Sequence, residues 1–126
     1  MLSKEEFGRY DRHIKLSEVG LEGQGKLKSA KVLVVGAGGL GCPILQYLTA
    51  AGVGTIGIVD DDVIDESNLQ RQILFDDKDI GRHKVTTAIE KLKLQNPFVT
   101  FIEHKDRLTN KNALDILENY DIVVDG

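Results

Sequence analysis

The sequence predicts an α/β fold with a mostly parallel sheet and helices on both faces, behind an N-terminal helical segment. Apolar β-branched runs alternate along the chain with amphipathic helical patterns, which favours βαβ units with right-handed crossovers. The first run breaks into a glycine-rich loop, and 126 residues at 41% hydrophobic content suffice for one ordinary core. Together these features predict a Rossmann-like sheet with strand order 3-2-1-4. Residues 1–126 are expected to form one domain, with residues 1–29 as its helical N-terminal extension.

The elements of the first half are predicted in chain order. Short helices are expected over residues 3–10 and 23–29 of the polar N-terminal segment. The run KVLVV at 31–35 is typical of a strand buried on both faces. A helix follows over 39–51, because apolar residues recur there at helical spacing and Gly52 stands where a C-terminal stop is expected.

The second half continues the alternation. A second strand ends near Val59, and SNLQRQ is expected to form a short helix with Ser67 as its N-cap. Residues 84–94 carry one apolar helical face, and Asn96-Pro97 ends that helix. A strand over 98–103, a helix over 110–119 and a fourth strand over 121–125 complete the prediction.

Composition excludes several classes of function. A net charge of −4 and a pI near 5.3 give no electrostatic reason to expect nucleic acid or an anionic membrane as the main partner. No apolar run is long enough to span a bilayer and the N-terminus is too charged for a signal peptide, so a cytoplasmic protein is expected. The single cysteine, Cys42, excludes an internal disulfide or a CxxC zinc pair, and no metal site of protein ligands is visible.

The glycine loop predicts a phosphate site. Gly36, Gly38 and Gly41 fit G-x-G-x-x-G between a strand and a helix, where backbone N–H groups bind phosphate. Asp60 lies 24 positions after Gly36 at the end of the second strand, where a carboxylate can accept hydrogen bonds from ribose hydroxyls. Glycines that only permit a tight turn are the structural alternative, and the pattern does not separate NAD from ATP.

Cationic and amide side chains after Asp60 favour a triphosphate. The segment DDDVIDESNLQRQ brings Asn68, Arg71 and Gln72 together, and Lys84 begins the next long helix. Arg71 can bind phosphate oxygens with its planar fork, and Lys84 supplies a compact charge. The alternatives are an ion pair between Arg71 and the acids at 60–66, and a solvated lysine at position 84.

Three stretches of the sequence resemble a known family. RYDRHIKL, VLVVGAGGLGCPILQYLTAAGVGTIGIVDDDVIDESNLQRQ and GRHK are similar to the MoeB/ThiF/HesA proteins, relatives of the ubiquitin-activating enzymes, and most similar to the MoeB and ThiF branches. The resemblance implies an adenylyltransferase that uses ATP and Mg²⁺ to adenylate the C-terminal glycine of a MoaD/ThiS-like ubiquitin-like sulfur carrier. Molybdopterin and thiamin biosynthesis are the implied pathways, and a homodimer is the implied full-length assembly.

The resemblance also implies residue roles. Gly39 would lie against the nucleotide, Asp60 would hold the ribose, and the stretch from Ser67 to Arg71 with Lys84 would contact phosphates. Arg12 matches an arginine donated across a dimer interface, so Arg12, Arg71 and Lys84 are the expected catalytic cations. The full expected nucleotide-binding set is Gly36, Gly38, Gly39, Gly41, Asp60, Asp62, Ser67, Asn68, Leu69, Gln70, Arg71, Gln72 and Lys84.

The sequence also departs from the family pattern. The family's T-D-N stretch, whose aspartate helps hold magnesium, would follow VVDG, and the family's CxxC zinc pairs are absent. We therefore expect a truncated half of the family fold, in which Cys42 is a small packing residue. Two other hypotheses stay open: an NAD-binding oxidoreductase domain, and a non-catalytic nucleotide-binding or dimerisation fragment.

Overall fold

Four parallel strands form the centre of the molecule in a computed structural model, which describes all 126 residues. The strands are β1 (Lys31–Val35), β2 (Thr55–Val59), β3 (Thr100–His104) and β4 (Ile122–Asp125). Their order is β3-β2-β1-β4, which confirms the predicted order. Val35 is in register with Val59 on one side and Asp125 on the other, so the carboxyl ends of the strands meet at one edge.

Helices cover both faces of this sheet, as predicted. On one face, α4 (Gly41–Ala51) and α5 (Lys84–Gln95) bury the larger core of 16 residues, which includes Leu45 and Leu92. On the other face, α6 (Ala113–Leu117) packs Ile116 against Leu33. Helix α6 is shorter than the predicted span of 110–119, because the preceding residues form a turn in which Asn112 bonds to the Thr109 N–H.

Three helices make up the N-terminal segment: α1 (Lys4–Arg9), α2 (Asp11–Ile14) and α3 (Gly20–Ser29). Ser3 and Glu6 form a reciprocal capping box at the start of α1. Helix α3 begins three residues before the predicted position. The Gln24 side chain, fully buried in α3, donates to the Ala51 carbonyl at 2.9 Å and fastens the segment to the end of α4.

The segment between β2 and α5 corrects the sequence interpretation. Instead of a helix over SNLQRQ, two 3₁₀ helices lie at Glu66–Asn68 and Asp77–Asp79. Ser67 is not the N-cap: Asp65 is, because its carboxylate accepts the Ser67 N–H at 3.0 Å from an extended backbone. The helix ends at Asn68, so Arg71 follows in a turn rather than on the same helical face. No helix in the structure is long and apolar enough to cross a bilayer.

Candidate functional site

The glycine loop makes a sharp turn between β1 and α4. Gly36 has a φ of 100°, a left-handed conformation that disfavours any other residue. A Cβ at position 41 would collide with the carbonyl oxygen of Gly36, so the start of α4 lies directly against the loop. Both positions therefore require glycine for backbone reasons alone.

The loop presents unpaired backbone donors. The N–H groups of Gly38, Gly39 and Leu40 donate to no acceptor in the chain, whereas the carbonyls of Gly38 and Leu40 already accept from the first turns of α4. Free N–H groups at the start of a helix, together with the positive end of its dipole, attract anions. The loop is therefore built as an anion cradle.

Asp60 links this loop to the end of β2. One carboxylate oxygen accepts from the Ala37 N–H at 2.8 Å and the other accepts from the Asp62 N–H at 2.8 Å. A carboxylate offers about four acceptor positions, so Asp60 can still accept from hydroxyl groups of a ligand. The carboxylates of Asp60, Asp61 and Asp62 lie within 4.8 Å of one another and make this corner strongly negative.

Arg71 lies across the loop. Its Cδ is 3.4 Å from the point where a Cβ on Gly39 would stand, so a larger residue at position 39 would press on the arginine. The guanidinium donates to the Ser67 carbonyl at 3.3 Å and has no carboxylate within salt-bridge distance. The alternative that Arg71 pairs with the acids at 60–66 is therefore wrong, and its charge faces the loop region unneutralised.

Lys84 is buried, which rules out the alternative of a solvated lysine. It is 6% exposed at the first position of α5, and its backbone N–H donates to the Asp62 carbonyl at 3.1 Å. Its ammonium makes no hydrogen bond, and the Asp62 carboxylate is 3.8 Å away. A cation at a helix N-terminus faces the positive end of the dipole. A buried lysine in that position needs a nearby anion, and Asp62 supplies only a loose one.

Cys42 lies under the loop as a packing residue. It is fully buried, and its thiol donates to the Ala37 carbonyl at 3.3 Å. Burial raises the pKa of the Cys42 thiol to about 11, although the nearby Lys84 charge acts in the opposite direction. The thiol is therefore protonated near neutral pH and is unsuited to nucleophilic chemistry.

The other residues of the SNLQRQ stretch have different roles: some cap the 3₁₀ helix, some pack against other residues, and one is exposed. The Asn68 side-chain oxygen accepts from the Asp65 N–H at 3.1 Å, and the Ser67 hydroxyl bonds to the Asp65 carboxylate, so both are partly committed to the cap. Leu69 packs against the main core and Gln70 is exposed. The buried Gln72 side chain reaches back to Gly38.

Arg12 stands apart from these residues. It is exposed on α2, in a hollow that also includes Ala50 at the far end of α4. The 11 residues of α4, at about 1.5 Å each, separate that hollow from the glycine loop by roughly 15 Å. Within one chain, the structure does not bring Arg12 to the loop.

The structure adds residues that the sequence interpretation missed. A cleft of about 160 Å³ opens at the carboxyl ends of β1 and β2, and the segment after β3 closes its other side. That segment contributes Asp106, Arg107 and Leu108, opposite Val35 and Asp60. The rule that ligands bind beyond the carboxyl ends of parallel strands would have pointed to this loop.

Comparison with known proteins decides the family. The ThiF family profile matches residues 10–126. This chain belongs to the ThiF family. Among curated ThiF-like relatives, the probable adenylyltransferase/sulfurtransferase MoeZ of Mycobacterium tuberculosis (strain CDC 1551 / Oshkosh) is 52% identical over 125 residues, covering 99% of this chain and 32% of MoeZ. The sulfur carrier protein adenylyltransferase of Thermus thermophilus is 52% identical over 98% of this chain and 46% of its own length.

Solved structures agree with the ThiF-family fold. The E. coli tRNA N6-threonylcarbamoyladenosine dehydratase TcdA, described in complex with ATP, superposes with a TM-score of 0.93 at 25% identity, covering all of this chain and 51% of TcdA. The predicted Rossmann-like fold and the resemblance to the MoeB/ThiF/HesA proteins are both confirmed. The chain spans between about a third and a half of the length of these ThiF-family relatives.

Proposed function

We propose that this chain is the ATP-binding part of an adenylyltransferase that activates the C-terminal glycine of a ubiquitin-like sulfur-carrier protein. The observation that carries the proposal is the set of donors at and beside the glycine loop, of which Arg71 has no carboxylate partner and Lys84 has only a loose one at 3.8 Å. Three free backbone N–H groups, the Arg71 guanidinium across Gly39 and the buried Lys84 on the same side of the sheet supply more positive charge than a dinucleotide needs. A triphosphate is the ligand whose charge matches that supply.

The nucleoside would occupy the cleft at the carboxyl ends of β1 and β2. Asp60 would accept from the ribose hydroxyls with its remaining lone pairs, and its charge disfavours a 2′-phosphate. Val35, Val59 and Leu108 form the apolar part of the cleft lining, against which a base could pack, and the other lining residues are polar or glycine. TcdA, described in complex with ATP, supports nucleotide binding by this fold.

The chemistry needs positioning and cations more than acid–base groups. The carrier's carboxylate, ionised near pH 7, attacks the α-phosphorus, a new P–O bond forms, and the bond to the bridging oxygen breaks to release pyrophosphate. Arg71 and Lys84 would stabilise the charge that builds on the phosphoryl oxygens. Magnesium would supply further charge neutralisation to the triphosphate. MoeZ and the Thermus relative, both named as adenylyltransferases, support this reaction type.

Arg12 would enter the site from a second copy of the chain. The surface between the glycine loop and the Arg12 hollow carries exposed apolar side chains, with Leu40 73%, Tyr47 77% and Ile73 68% exposed. A two-fold interface along α4 with the two helices antiparallel would place the Arg12 end of one chain beside the loop end of the other. A homodimer of the full-length protein would then complete each site.

The test is nucleotide selectivity followed by turnover. Calorimetry with the full-length protein is expected to give tighter binding of ATP with Mg²⁺ than of NAD, because only the triphosphate engages both Arg71 and Lys84. Exchange of labelled pyrophosphate into ATP should require the carrier protein. Arg71→Ala should weaken the binding of ATP and leave the binding of adenosine unchanged. NAD binding as tight as ATP binding would overturn the proposal, as would hydride transfer. Pyrophosphate exchange that proceeds without the carrier protein would contradict the proposed role of the carrier as substrate.

A further inference from the structure

Tyr10 and Asn96 form a buried hydrogen bond between the N-terminal segment and the end of α5. Tyr10 is 3% exposed, and Asn96 is inaccessible to solvent. The Asn96 side-chain nitrogen donates to the Tyr10 hydroxyl and to the Thr49 carbonyl, both at 2.8 Å. Its side-chain oxygen accepts from the Phe98 N–H at 3.1 Å. Hydrogen bonds between buried polar groups are directional, so this connection fixes how Tyr10 lies.

Gln24 and His13 form a second connection of the same kind. The buried Gln24 side chain donates to the Ala51 carbonyl at 2.9 Å, and its oxygen accepts from His13 Nδ1 at 3.2 Å. The rings of Tyr10 and His13 stack with their planes 7° apart, so the two connections support each other. A Cβ at Gly52 would lie 2.5 Å from the Tyr10 ring and 2.8 Å from the Gln24 amide. Both side chains therefore lie directly against the end of α4.

Helix α2, which carries Arg12, depends on these two connections. None of its residues, Asp11–Ile14, is buried, so apolar burial contributes little to holding the helix in place. Tyr10 directly precedes the helix and His13 lies within it, so Arg12 is held from both sides. The Arg12 guanidinium itself forms no ion pair and no hydrogen bond in the chain. The backbone of Arg12 is thus fixed by its neighbours, while its charge stays free.

We propose that Tyr10 and Gln24 are positioning residues, which direct Arg12 towards the glycine loop of a second copy of the chain. This role rests on the proposed function, in which Arg12 completes the site of the partner. The two connections end on the last turn of α4, at Thr49 and Ala51, and the proposed two-fold interface runs along that helix. They therefore hold Arg12 at a fixed place relative to the interface. An error of about 1 Å in the place of a catalytic group can lower a rate by about 100-fold.

A mixture of two full-length variants separates positioning from stability. Lys84→Met inactivates the site of one chain and leaves its Arg12 intact; this is the supplying chain. Arg12→Ala leaves a site that needs an arginine from its partner; this is the receiving chain. After subunit exchange, only mixed dimers contain a complete site that can exchange pyrophosphate into ATP. Tyr10→Phe, which removes the hydroxyl that Asn96 bonds, is then placed in one of the two chains at a time.

The chain that carries Tyr10→Phe should decide its effect. In the supplying chain, the substitution should lower kcat for exchange about 3- to 30-fold and change KM for ATP by less than about twofold, because the receiving chain binds the nucleotide. In the receiving chain, it should leave the exchange rate unchanged, because that chain supplies no Arg12. A general loss of stability would act alike in either chain.

Tyr120→Phe in the supplying chain is the matched control. The Tyr120 hydroxyl also forms a hydrogen bond at 2.8 Å, with His104 Nε2, on the face of the sheet that carries α6. This variant should leave exchange unchanged. His13→Phe tests the second connection, since it keeps an aromatic ring beside Tyr10 and removes the bond to Gln24. It should lower exchange from the supplying chain only.

The outcomes distinguish this role from the proposed function. A mixture that stays inactive without Tyr10→Phe, after verified subunit exchange, would defeat the proposed action of Arg12 across the interface, and the positioning role with it. An active mixture in which Tyr10→Phe and His13→Phe lower exchange equally from either chain, or from neither, would overturn only the positioning role. An equally large effect of Tyr120→Phe in the supplying chain would also overturn it, because that bond does not hold α2.

Discussion

Burial determines how Cys42 and Lys84, two residues beside the glycine loop, can react or bind. Cys42 and Lys84 lie on the same side of the sheet, both nearly inaccessible to solvent. Burial keeps the Cys42 thiol neutral, with its pKa raised to about 11. Lys84 is held beside Asp62 without a hydrogen bond. One side chain is thereby made inert, and the other keeps a charge that an anion can use.

The inertness of Cys42 can be measured directly. At pH 8, about one thiol in a thousand would be ionised for a pKa near 11, and the thiolate is the reactive form. Iodoacetamide is therefore expected to leave the folded protein unmodified, and to alkylate the single thiol of the 126-residue chain once guanidinium unfolds it. Rapid, complete labelling of the folded protein would contradict both the burial and the packing role.

At the scale of elements, the segment between β2 and α5 is organised by carboxylates. Asp79, at the end of the second 3₁₀ helix, accepts from the Asp76 N–H at 2.9 Å and contacts the Lys91 ammonium at 2.6 Å. Arg82 donates to the same carboxylate at 3.3 Å. Because Lys91 belongs to α5, this network fastens the segment to the helix that carries Lys84.

Replacing Asp79 should therefore give a pH-dependent loss of stability. Burial by itself raises the pKa of Asp79, but the hydrogen bonds from Lys91 and the Asp76 N–H outweigh burial, so the pKa lies below its ordinary value of 3.8. A carboxyl group whose pKa is lowered on folding stabilises the fold at a pH above its ordinary pKa. This stabilisation is lost as the pH falls through the pKa of the folded state. Asp79→Asn is expected to lower the free energy of unfolding by roughly 1–3 kcal/mol near pH 7, and by less below about pH 4.

Urea unfolding of both proteins from pH 3 to pH 7 measures this dependence. Asp77→Asn, at an exposed carboxylate in the same 3₁₀ helix, is the control and should change little at any pH. A stability difference for Asp79→Asn that stays constant across the range would show that packing, not charge, carries the effect.

At the scale of the whole molecule, the two ends of α4 carry different parts of the proposed site. The glycine loop, Arg71 and Lys84 lie towards its start, whereas Arg12 lies beside Ala50 near its end. One copy of the chain cannot bring these groups together without a large rearrangement. The symmetric pair proposed above would bring them together, because each copy would supply its Arg12 to the site of the other.

Mixing two inactive variants tests this arrangement. Arg12→Ala and Lys84→Met should each abolish pyrophosphate exchange in the full-length protein. If the partner supplies Arg12, subunit exchange restores one complete site in each mixed dimer, or about a quarter of wild-type activity at equal amounts. Lys15→Ala, at an exposed lysine just after α2, should retain full activity alone. Activity that stays absent after verified subunit exchange would show that Arg12 does not act across the interface.

The sequence by itself determined the order of elements and the position of the glycine loop. Hydrophobic periodicity is local, so the strands and helices follow from patterns within a few tens of residues. The order 3-2-1-4 follows from the Rossmann-like topology that the βαβ alternation and the glycine loop predict. Parallel strands bring their carboxyl ends together, which is why Gly36 and Asp60 could be paired from spacing alone. The short segment after β2 was predicted less well, because the Asp65 cap competes with Ser67 for the same backbone groups.

Only the tertiary structure decided how the side chains of the candidate site are used. From the sequence alone, Arg71 could have formed a salt bridge and Lys84 could have been solvated, as readily as either could have bound phosphate. The packed structure places Arg71 across Gly39 and buries Lys84. The unpaired Gln72 amide oxygen and the cleft wall after β3 depend on residues far apart in the chain. Burial and hydrogen-bond satisfaction are properties of the packed molecule, so no local pattern in the sequence could reveal them.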